Sequence, residues 1–296
     1  MDAFPAYFAL AGRKVVIAGS GDGAEAKARL FSGSPATVTR VDGPAALEPG
    51  TYAGAVLAFI ASDDLEFCKA AAYAARSSGA LVNVVDKPAF SDFSTPAVID
   101  RGSLVAAIGT GGASPMLASV LRGDIEARLP EGAGRIAALL QQMRDEVRQA
   151  LPDMAARRAF LREAITGPVA RAAMDGDMEE ARDMLRALLT QAPGLQTGVV
   201  WLLDGRGSAD LLTLRALRAI SDADAVCADD DVDAGVMARV RRDAPRMTDA
   251  TPAALAKRAL GGERIARILA AAPDEDLART LRDAGAAVEV LPVAAP

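Results

Sequence analysis

Short apolar runs alternate with helix-forming stretches along the first hundred residues. The run at 14–18 ends at a glycine, and the stretch AEAKARL at 24–30 consists largely of strong helix formers. Further strands are predicted at 38–41, 55–60 and 81–85, and a further helix at 65–77. Strands that alternate with helices in this way predict an α/β domain built on a parallel, doubly wound sheet.

The pattern changes after residue 88. Two strands at 97–102 and 103–108, with a polar Asp-Arg-Gly turn between them, predict an antiparallel hairpin. A glycine-rich stretch then ends the sheet region, with Ser114 as a helix N-cap and Pro115 at the first helical position. From there to about residue 189 apolar side chains recur at helical spacing, which predicts a helical domain.

The last hundred residues return to an α/β pattern. Pro193 and Gly194 mark a boundary, and strands are predicted at 199–203, 265–269 and 287–291. We therefore expect three parts: an α/β domain at 1–113, a helical domain at 114–192 and a small α/β segment at 193–296.

Composition restricts the functions open to this chain of 296 residues. The formal net charge of −6 argues against a nucleic-acid partner, because phosphate binding needs clustered surplus Lys and Arg. The chain has no histidine, which excludes histidine-based catalytic triads and HExxH zinc sites. Any proton transfer must therefore use carboxylates, hydroxyls, thiols or water.

Cysteine usage and hydropathy indicate the compartment. Cys68 and Cys227 are too few for a disulfide framework and lack zinc-site spacing, so both are expected to fill the core in a reducing compartment. The N-terminal residues show no secretion signal, and no segment offers ~18 uninterrupted apolar residues. We expect a cytoplasmic protein without a membrane partner.

A glycine motif, GSGDGA at 19–24, follows the first predicted strand and opens the first helix. Such glycines permit a tight turn and let a pyrophosphate approach backbone N–H groups, although a plain glycine-rich turn is the alternative. Asp42 lies about 20 residues on, where an acid binds the adenosine ribose and disfavours a 2′-phosphate. The pattern predicts a Rossmann-like domain that binds NAD in preference to NADP. The candidate cofactor-binding residues are Gly19, Ser20, Gly21, Asp22, Gly23, Asp42, Gly43 and Ser62.

Further sequence blocks occur in an order typical of one family. They are FPAYFALAGRKVVIAGSGDGAEAKARL at 4–30, ASDD at 61–64, NVVDKP at 83–88, TPAVIDRGSLVAAIGTGGASPMLASVLR at 95–122 and ARRAFL at 156–161. Together they resemble the precorrin-2 dehydrogenase/sirohydrochlorin ferrochelatase module of siroheme synthase, over residues 1 to about 190. The resemblance implies oxidation of precorrin-2 to sirohydrochlorin with NAD, with ferrous iron as a further substrate, by a homodimer whose helical segments exchange between subunits.

The resemblance gives Asp86 the catalytic role. In this family the Asp of the NVVD block is tied to both dehydrogenation and metal insertion. A carboxylate at the carboxyl end of a strand near the cofactor is placed to accept the proton that is released as hydride leaves. Without the resemblance, an Asp before Lys87 and Pro88 is more often a turn residue.

Substrate contacts are implied in the same way. Thr110 falls where some members carry a serine in a loop over the active site, although the loop is otherwise a flexible connection. The arginines at 148–171 either bind a substrate that carries eight carboxylates or form a solvated helix face. After the third strand, residues 62–64 resemble the loop beside the cofactor, although Asp63 or Asp64 could instead cap the next helix. The candidate substrate-binding residues are Asn83, Thr110, Gly111, Ser114, Arg157 and Arg158, and no metal-ligating residue is predicted.

The C-terminal third resembles the opening half of the family's uroporphyrinogen-III methyltransferase domain, through 199–217 and 236–242. It departs from that pattern in the glycine-rich loop at 203–209 and in the AAAPD block at 270–274, which would hold S-adenosylmethionine. We expect a structural remnant without methyltransferase activity.

Three functions remain open at this point. The first is the precorrin-2 dehydrogenase, and the residues do not decide whether it also inserts iron. The second is an NAD-binding, tetrapyrrole-responsive scaffold or regulatory protein without turnover, which the altered C-terminal third favours. The third is a dehydrogenase for a small substrate, which the lack of a catalytic His or Tyr-x-x-x-Lys disfavours.

Overall fold

A computed structural model describes residues 3–191 and 198–294. The chain divides into two compact units, Met1–Glu131 and Gly132–Pro296. The first unit contains the expected α/β domain and the helix that follows it. The predicted boundary at Pro193 and Gly194 lies outside the described residues.

Four parallel strands form the main sheet of the first unit, in the order β2-β1-β3-β4. The strands are β1 (Lys14–Gly19), β2 (Thr37–Val41), β3 (Ala55–Ala61) and β4 (Leu81–Val84). Helix α1 (Gly21–Leu30) connects β1 to β2, and α2 (Leu65–Ser77) connects β3 to β4. Short 3₁₀ helices cover Gly43–Leu47, Pro49–Tyr52 and Pro88–Phe90. The predicted doubly wound sheet is confirmed.

Both faces of this sheet are buried, because side chains alternate along each strand. Val16 and Ile60 belong to the cluster that packs with the alanine-rich face of α2. Val15 and Ile17 belong to a second cluster that contains Ala24 of α1. Parallel strands covered on both faces need continuous apolar runs, which explains the pattern in the sequence.

The predicted hairpin is also present. Strands β5 (Ala97–Asp100) and β6 (Val105–Ile108) pair antiparallel. The Asp100 carboxylate accepts a hydrogen bond of 2.8 Å from the backbone N–H of Gly102, which stabilises the turn between the strands.

Helix α3 (Pro115–Glu126) ends the first unit. Ser114 is its N-cap, as predicted, and its Oγ accepts a hydrogen bond of 3.2 Å from the Leu117 N–H. Met116 and Val120 are among several apolar side chains that this helix leaves exposed within the described chain. The helix therefore presents an apolar face to its surroundings.

Five helices open the second unit, which confirms the predicted helical stretch. Leu139, Phe160 and Leu185 are fully buried and form the centre of their common core. The five helices are α4 (Ala133–Gln142), α5 (Arg144–Ala150), α6 (Met154–Thr166), α7 (Pro168–Asp175) and α8 (Met178–Thr190).

A second four-stranded parallel sheet follows, in the order β10-β7-β9-β8. Its strands are β7 (Val199–Asp204), β8 (Ala225–Ala228), β9 (Arg264–Leu269) and β10 (Ala287–Leu291). Its helices are α9 (Leu214–Asp222), α10 (Ala234–Met237), α11 (Pro252–Leu260) and α12 (Glu275–Asp283), with a 3₁₀ turn at Ala209–Leu211.

Strand β8 is the one strand of this sheet that the sequence pattern does not predict. It is four residues long, and Cys227 lies within it. Both cysteines are buried and free, as expected. No helix in the part of the chain that the structure describes is long and apolar enough to cross a bilayer.

Candidate functional site

The carboxyl ends of β1 to β4 lie along one edge of the first sheet, because the four strands are parallel. Gly19 ends β1, Asp42 follows β2, Ser62 follows β3, and Asp86 lies just beyond β4. The strand order reverses between β1 and β3, since β2 lies on the other side of β1. Open α/β sheets bind ligands in the crevice at such a switch point.

Gly19 is required by the close approach of β1 to β3. Its φ is 106°, and a Cβ built on it would lie 1.9 Å from the backbone oxygen of Ala61. Any side chain would displace the end of β3. Gly21 has a φ of 78°, but no atom lies within 4 Å of its would-be Cβ. The backbone at Gly21 therefore faces open space at the start of α1.

The first turn of α1 leaves room for an anion. Ser20 is the N-cap in extended conformation and makes no side-chain capping hydrogen bond. The first N–H groups of a helix lack partners within the helix and carry partial positive charge. Asp22 lies in this turn. A Cβ built on Gly23 would lie 3.4 Å from the Ala61 side chain. The small residue at 23 allows α1 to pack closely on β3.

Asp42 caps the short helix after β2. Its Oδ1 accepts a hydrogen bond of 2.7 Å from the backbone N–H of Gly43, whose φ is 60°. Arg40, two residues earlier on β2, forms an ion pair with Glu25 of α1, and this contact lowers the pKa of the Glu25 carboxyl. The guanidinium nearest in sequence to Asp42 is thus already bound to a carboxylate. No sequence motif predicts this ion pair between Arg40 and Glu25.

Asp86 has an unusual backbone conformation. Its φ of 57° makes it the one non-glycine residue with positive φ in the described chain. The Lys87 N–H donates to the Val84 oxygen at 3.1 Å, and the Lys87 ammonium donates to the Ser62 backbone oxygen at 3.0 Å. These bonds hold the turn against the end of β3. The Asp86 side chain is exposed at the edge.

Lys27 of α1 is a charged neighbour of Asp86 that the sequence reading missed. Its ammonium donates to Thr95 Oγ1 at 3.0 Å and lies 5.6 Å from the centre of the Phe59 ring. Burial lowers the pKa of Lys27, while the charge of Asp86 acts to raise it. Lys27 is thus half-buried and held by Thr95 and the Phe59 ring, which distinguishes it from a fully solvated helix residue.

Asn83 is buried on β4. Its amide donates to the Phe93 backbone oxygen at 2.8 Å, but its Oδ1 has no hydrogen-bond partner among the described residues. A buried acceptor without a partner is costly, so a group that donates to it would gain a stabilising bond. Asn83 stays a candidate for ligand contact.

The glycine-rich loop after β6 is held by side-chain bonds. Thr110 Oγ1 donates to the Ser114 oxygen at 3.2 Å and accepts from the Ser114 N–H at 3.3 Å. Gly111 has a φ of 62°. The loop therefore has a defined local conformation before α3, and the predicted contact of Thr110, Gly111 and Ser114 with substrate stays a prediction.

The loop after β3 divides its residues between two roles. Asp64 is the N-cap of α2, and its carboxylate accepts from the Glu66 N–H at 2.9 Å. Ser62 Oγ accepts from the Asp64 N–H at 3.1 Å. The capping alternative thus holds for Asp64, whereas Ser62 lies directly beyond β3 at the crevice.

Arg157 and Arg158 lie in the second unit, on α6. Arg157 donates to the backbone oxygens of Leu151 and Pro152, at 3.1 and 2.9 Å. Arg158 lies 3.6 Å from the Asp224 carboxylate, which also pairs with Arg162. Arg157 thus binds the chain just before α6, whereas Arg158 pairs with a carboxylate that lies between α9 and β8. The predicted contact of both residues with substrate stays a prediction.

The corresponding edge of the second sheet is occupied by ion pairs. Asp204, at the end of β7, is buried and binds the Arg206 guanidinium at 2.8 Å. The bond to Arg206 holds the pKa of the Asp204 carboxyl below its usual range. Arg267 of β9 likewise pairs with Asp229. The loop at 203–209, where the glycine pattern departs, thus folds around its own side chains.

These features define an α/β protein with a dinucleotide-binding type of crevice in its first unit. Comparisons with known proteins agree. Residues 6–97 match a family described as NAD(P)-binding, and residues 132–189 match the sirohaem synthase dimerisation region. A solved structure described as "SirC, precorrin-2 dehydrogenase" superposes with a TM-score of 0.51 at 18% identity, over 62% of this chain and 100% of that one. This likeness shows the fold.

Curated relatives name the family. The siroheme synthase of Chromobacterium violaceum is 35% identical over 99% of this chain, which spans 70% of that protein. The siroheme synthase of Azotobacter vinelandii is 38% identical over 91% of this chain, which spans 62% of that protein. The chain belongs to the siroheme synthase family.

Proposed function

We propose that the protein oxidises precorrin-2 to sirohydrochlorin with NAD. The observation that carries the proposal is the juxtaposition of a dinucleotide-type glycine loop and an exposed Asp86 at one sheet edge, in a chain of the siroheme synthase family. Family membership supports the substrate class. The match of residues 6–97 to an NAD(P)-binding family supports the cofactor.

The residues at the crevice fit NAD. Gly21 leaves open space above the loop, and the uncapped first turn of α1 offers N–H groups to a pyrophosphate. Asp42 at the end of β2 would bind the adenosine ribose, with Gly43 beside it. Because Arg40 is paired with Glu25, a 2′-phosphate would meet the Asp42 carboxylate without a free guanidinium from that residue. We therefore propose NAD in preference to NADP.

Asp86 would act as the general base. NAD, when bound, supplies the acceptor for the hydride that leaves the tetrapyrrole. The substrate also loses a proton, which the Asp86 carboxylate accepts and passes to water, since this side chain is exposed. Lys27, its positively charged neighbour, would stabilise the carboxylate. Asn83 Oδ1 is buried without a partner among the described residues, so it would accept a hydrogen bond from ligand only once the residues that cover it move.

We extend the proposal to insertion of ferrous iron into sirohydrochlorin. The described residues contain no group of three or more His, Cys, Asp or Glu side chains that could hold a metal ion. The iron would enter the macrocycle as a substrate and replace two pyrrole protons, which the Asp86 carboxylate would accept one at a time and pass to water. One carboxylate would serve both steps.

A homodimer is the proposed assembly. Residues 132–189 match the sirohaem synthase dimerisation region, and α3 presents exposed apolar side chains directly before it. A second copy of the chain would cover this face and remove it from water. We propose three functional parts, a cofactor domain at 1–113, a dimerisation domain at 114–192 and a C-terminal segment at 193–296, which differ from the two compact units because the first unit includes α3.

Methyltransferase activity is not part of the proposal. The loop at 203–209 is folded around the pair Asp204 and Arg206, so a cofactor would have to displace a buried carboxylate from its guanidinium. Isothermal titration with S-adenosylmethionine is expected to give no specific heat. Saturable binding would contradict this part of the proposal.

The test is anaerobic incubation with precorrin-2 and NAD, followed by absorbance of NADH and of the macrocycle. We expect one NADH for each sirohydrochlorin formed, and a further spectral change after ferrous iron is added. A scaffold protein would bind NAD yet form no NADH, and a dehydrogenase for a small substrate would leave precorrin-2 unchanged. Either result would overturn the proposal.

A further inference from the structure

The second unit contains a cleft of about 880 Å³ that the proposed function does not use. The start of α6, the segment at 246–249 and one side of α11 form its walls. Backbone bonds fix the segment beside β8: the Val226 N–H donates to the Pro245 oxygen at 3.0 Å, and the Met247 N–H donates to the Val226 oxygen at 2.8 Å. Clefts of this size bind small molecules.

Four cationic side chains line the cleft in a protein of net negative charge: Arg158, Arg246, Lys257 and Arg258. Arg258 is neutralised by Glu263, whose carboxylate accepts from the guanidinium Nε at 2.9 Å. Arg158 shares the Asp224 carboxylate with Arg162, at 3.6 and 3.3 Å. One carboxylate therefore serves two guanidinium groups.

The carboxylates that line the cleft are already engaged. Asp153 is the N-cap of α6 and accepts from the Ala156 N–H at 2.8 Å. Asp249 accepts from the N–H and hydroxyl of Thr251, at 2.9 and 2.7 Å, and this bonding lowers the pKa of the Asp249 carboxyl. These hydrogen bonds orient both carboxylates but leave them negatively charged, so the lining has four cations against the three carboxylates of Asp153, Asp249 and Glu263.

Arg246 and Lys257 make no ion pair within the described residues 3–191 and 198–294. They belong to different elements, since Arg246 precedes the loop to α11 and Lys257 lies in the last turn of that helix. Two cations that project from separate elements into one cleft form a site for separated negative charges.

Apolar side chains complete the wall. Met154, Met247 and Ala254 line the same cleft as the two cations. Methionine side chains adapt to flat or irregular apolar bodies. A phosphate or a small polyacid would use the cations and leave these apolar surfaces in water, whereas a ligand with an apolar body and carboxylates at its rim would use both.

The cleft lies away from the methyltransferase-like loops. Gly261 and Glu263, which line it, lie just before the start of β9, whereas the loops at 203–209 and 270–274 follow the carboxyl ends of β7 and β9. The two regions are thus at opposite ends of the second sheet, because β7 and β9 are parallel.

We propose that this cleft is a second ligand site, which binds an apolar-bodied polycarboxylate. Within this class of ligand we choose the carboxylated tetrapyrrole of the proposed function. This choice rests on the proposed function. The cleft would hold tetrapyrrole apart from the crevice of the first unit and raise its local concentration on the same chain.

The test uses uroporphyrin, a stable porphyrin with eight carboxylates, as the probe in isothermal titration with the full chain. We expect two sites per chain for the unaltered protein and one for the double variant Arg246→Gln/Lys257→Gln. Affinity at the lost site should fall about tenfold or more, because two charge-assisted contacts are removed. The control is Arg218→Gln/Arg239→Gln, which removes the same charge from exposed positions outside the cleft.

The outcomes separate the two proposals. Binding that is equal in the cleft variant and the control overturns the second site. One site in the unaltered protein that is lost in the cleft variant supports the cleft and contradicts tetrapyrrole binding in the first unit. Citrate and pyrophosphate serve as further probes. If either one binds as tightly as uroporphyrin, the proposal that the cleft selects a ligand with an apolar body is wrong. The charge-retaining variant Arg246→Lys/Lys257→Arg should bind uroporphyrin nearly normally.

Discussion

The two sheets of the chain differ in the order of their outer strands and at their carboxyl edges. Each has four parallel strands with its first strand in the second position, but the second strand along the chain lies beside the first in β2-β1-β3-β4 and at the far edge in β10-β7-β9-β8. In the first sheet the edge is open: Gly21 faces free space and Asp86 is exposed. In the second, Asp204 and Arg206 bind each other at the equivalent loop. Sheet topology alone therefore does not assign a function to either edge, and the loop residues set the chemistry that each edge offers.

The largest expected effect concerns Asp86, the open edge's carboxylate. Asp86→Asn keeps the shape of the side chain and removes the base, so sirohydrochlorin formation should fall by ~10²–10⁴ while NAD affinity and folding stay near normal. Steady-state NADH formation measures the effect. Asp63→Asn, which removes a carboxylate from the loop after β3, is the control and should retain activity.

Near-normal turnover by a folded Asp86→Asn protein would show that another group or bulk water takes the proton. The same variant also tests iron insertion, because the proposal assigns both steps to one carboxylate. Loss of dehydrogenation with full iron insertion would separate the two steps.

The next effect concerns the open space at Gly21. Gly21→Val would place a branched side chain where the pyrophosphate approaches, and NAD affinity should fall at least ~100-fold by steric exclusion. Gly54→Val is the matched control, since Gly54 has a φ of 73° and also no atom within 4 Å of its would-be Cβ. Both variants should lose about 1–3 kcal/mol of stability from backbone strain.

Fluorescence titration with NAD distinguishes the two variants of this pair. If Gly21→Val bound NAD as tightly as Gly54→Val, the loop would not be the pyrophosphate site. The comparison between the sheets would then lose its main support.

A smaller effect is expected at Asp42. Asp42→Ala removes the carboxylate that would bind the ribose and repel a 2′-phosphate, so the ratio of NAD to NADP affinity should fall about tenfold. Adding Arg40→Gln to this variant should restore part of the preference for NAD if the Arg40 guanidinium leaves Glu25 to bind the phosphate. An unchanged ratio in Asp42→Ala would exclude the ribose role.

The smallest effect concerns the closed edge. The pKa of the Asp204 carboxyl is lowered in the folded protein, mainly by its bond to Arg206. The stabilisation that the Asp204 carboxylate gives the folded protein is therefore present above the pKa of about 4 that it has in the unfolded chain. This stabilisation is lost as the pH falls through the lower pKa of the folded state. Asp204→Asn should cost about 1–2 kcal/mol near pH 7 and less in acid. Urea unfolding at neutral and at acidic pH measures this difference in the free energy of unfolding.

The exposed pair of Asp276 with Arg279 supplies the control for the closed edge. Asp276→Asn should change the free energy of unfolding by less than about 1 kcal/mol, because solvent screens that pair. An equal loss in both variants would mean that the ion pair at Asp204 does not stabilise its loop.

Local rules predicted most of the first unit. The strand at 14–18, the helix at 65–77 and the cap at Ser114 with Pro115 are all observed, because each rests on periodicity or on a hydrogen bond between near neighbours. Strand β8 was missed since four residues, Ala-Val-Cys-Ala, carry too little pattern to distinguish a strand from a buried helix turn.

The positions of the candidate site residues in the fold were predictable where a motif encodes a backbone shape and less so where side chains meet through space. The glycines of the loop and the acid after β2 follow from spacing alone. Lys27 reads as an ordinary helix residue, and only the fold shows it half-buried near Asp86 and bonded to Thr95. The pair of Glu25 with Arg40 was missed for the same reason, since it joins a helix to a neighbouring strand.

The left-handed backbone at Asp86 has a consequence for how this protein responds to selection. A φ of 57° is one that glycine adopts without steric cost, whereas aspartate pays for it in strain. A screen that rewards only thermal resistance or expression would therefore enrich Asp86→Gly and deliver stable proteins that lack the proposed base. Efforts to stabilise this protein should keep Asp86 unchanged and place substitutions at other positions.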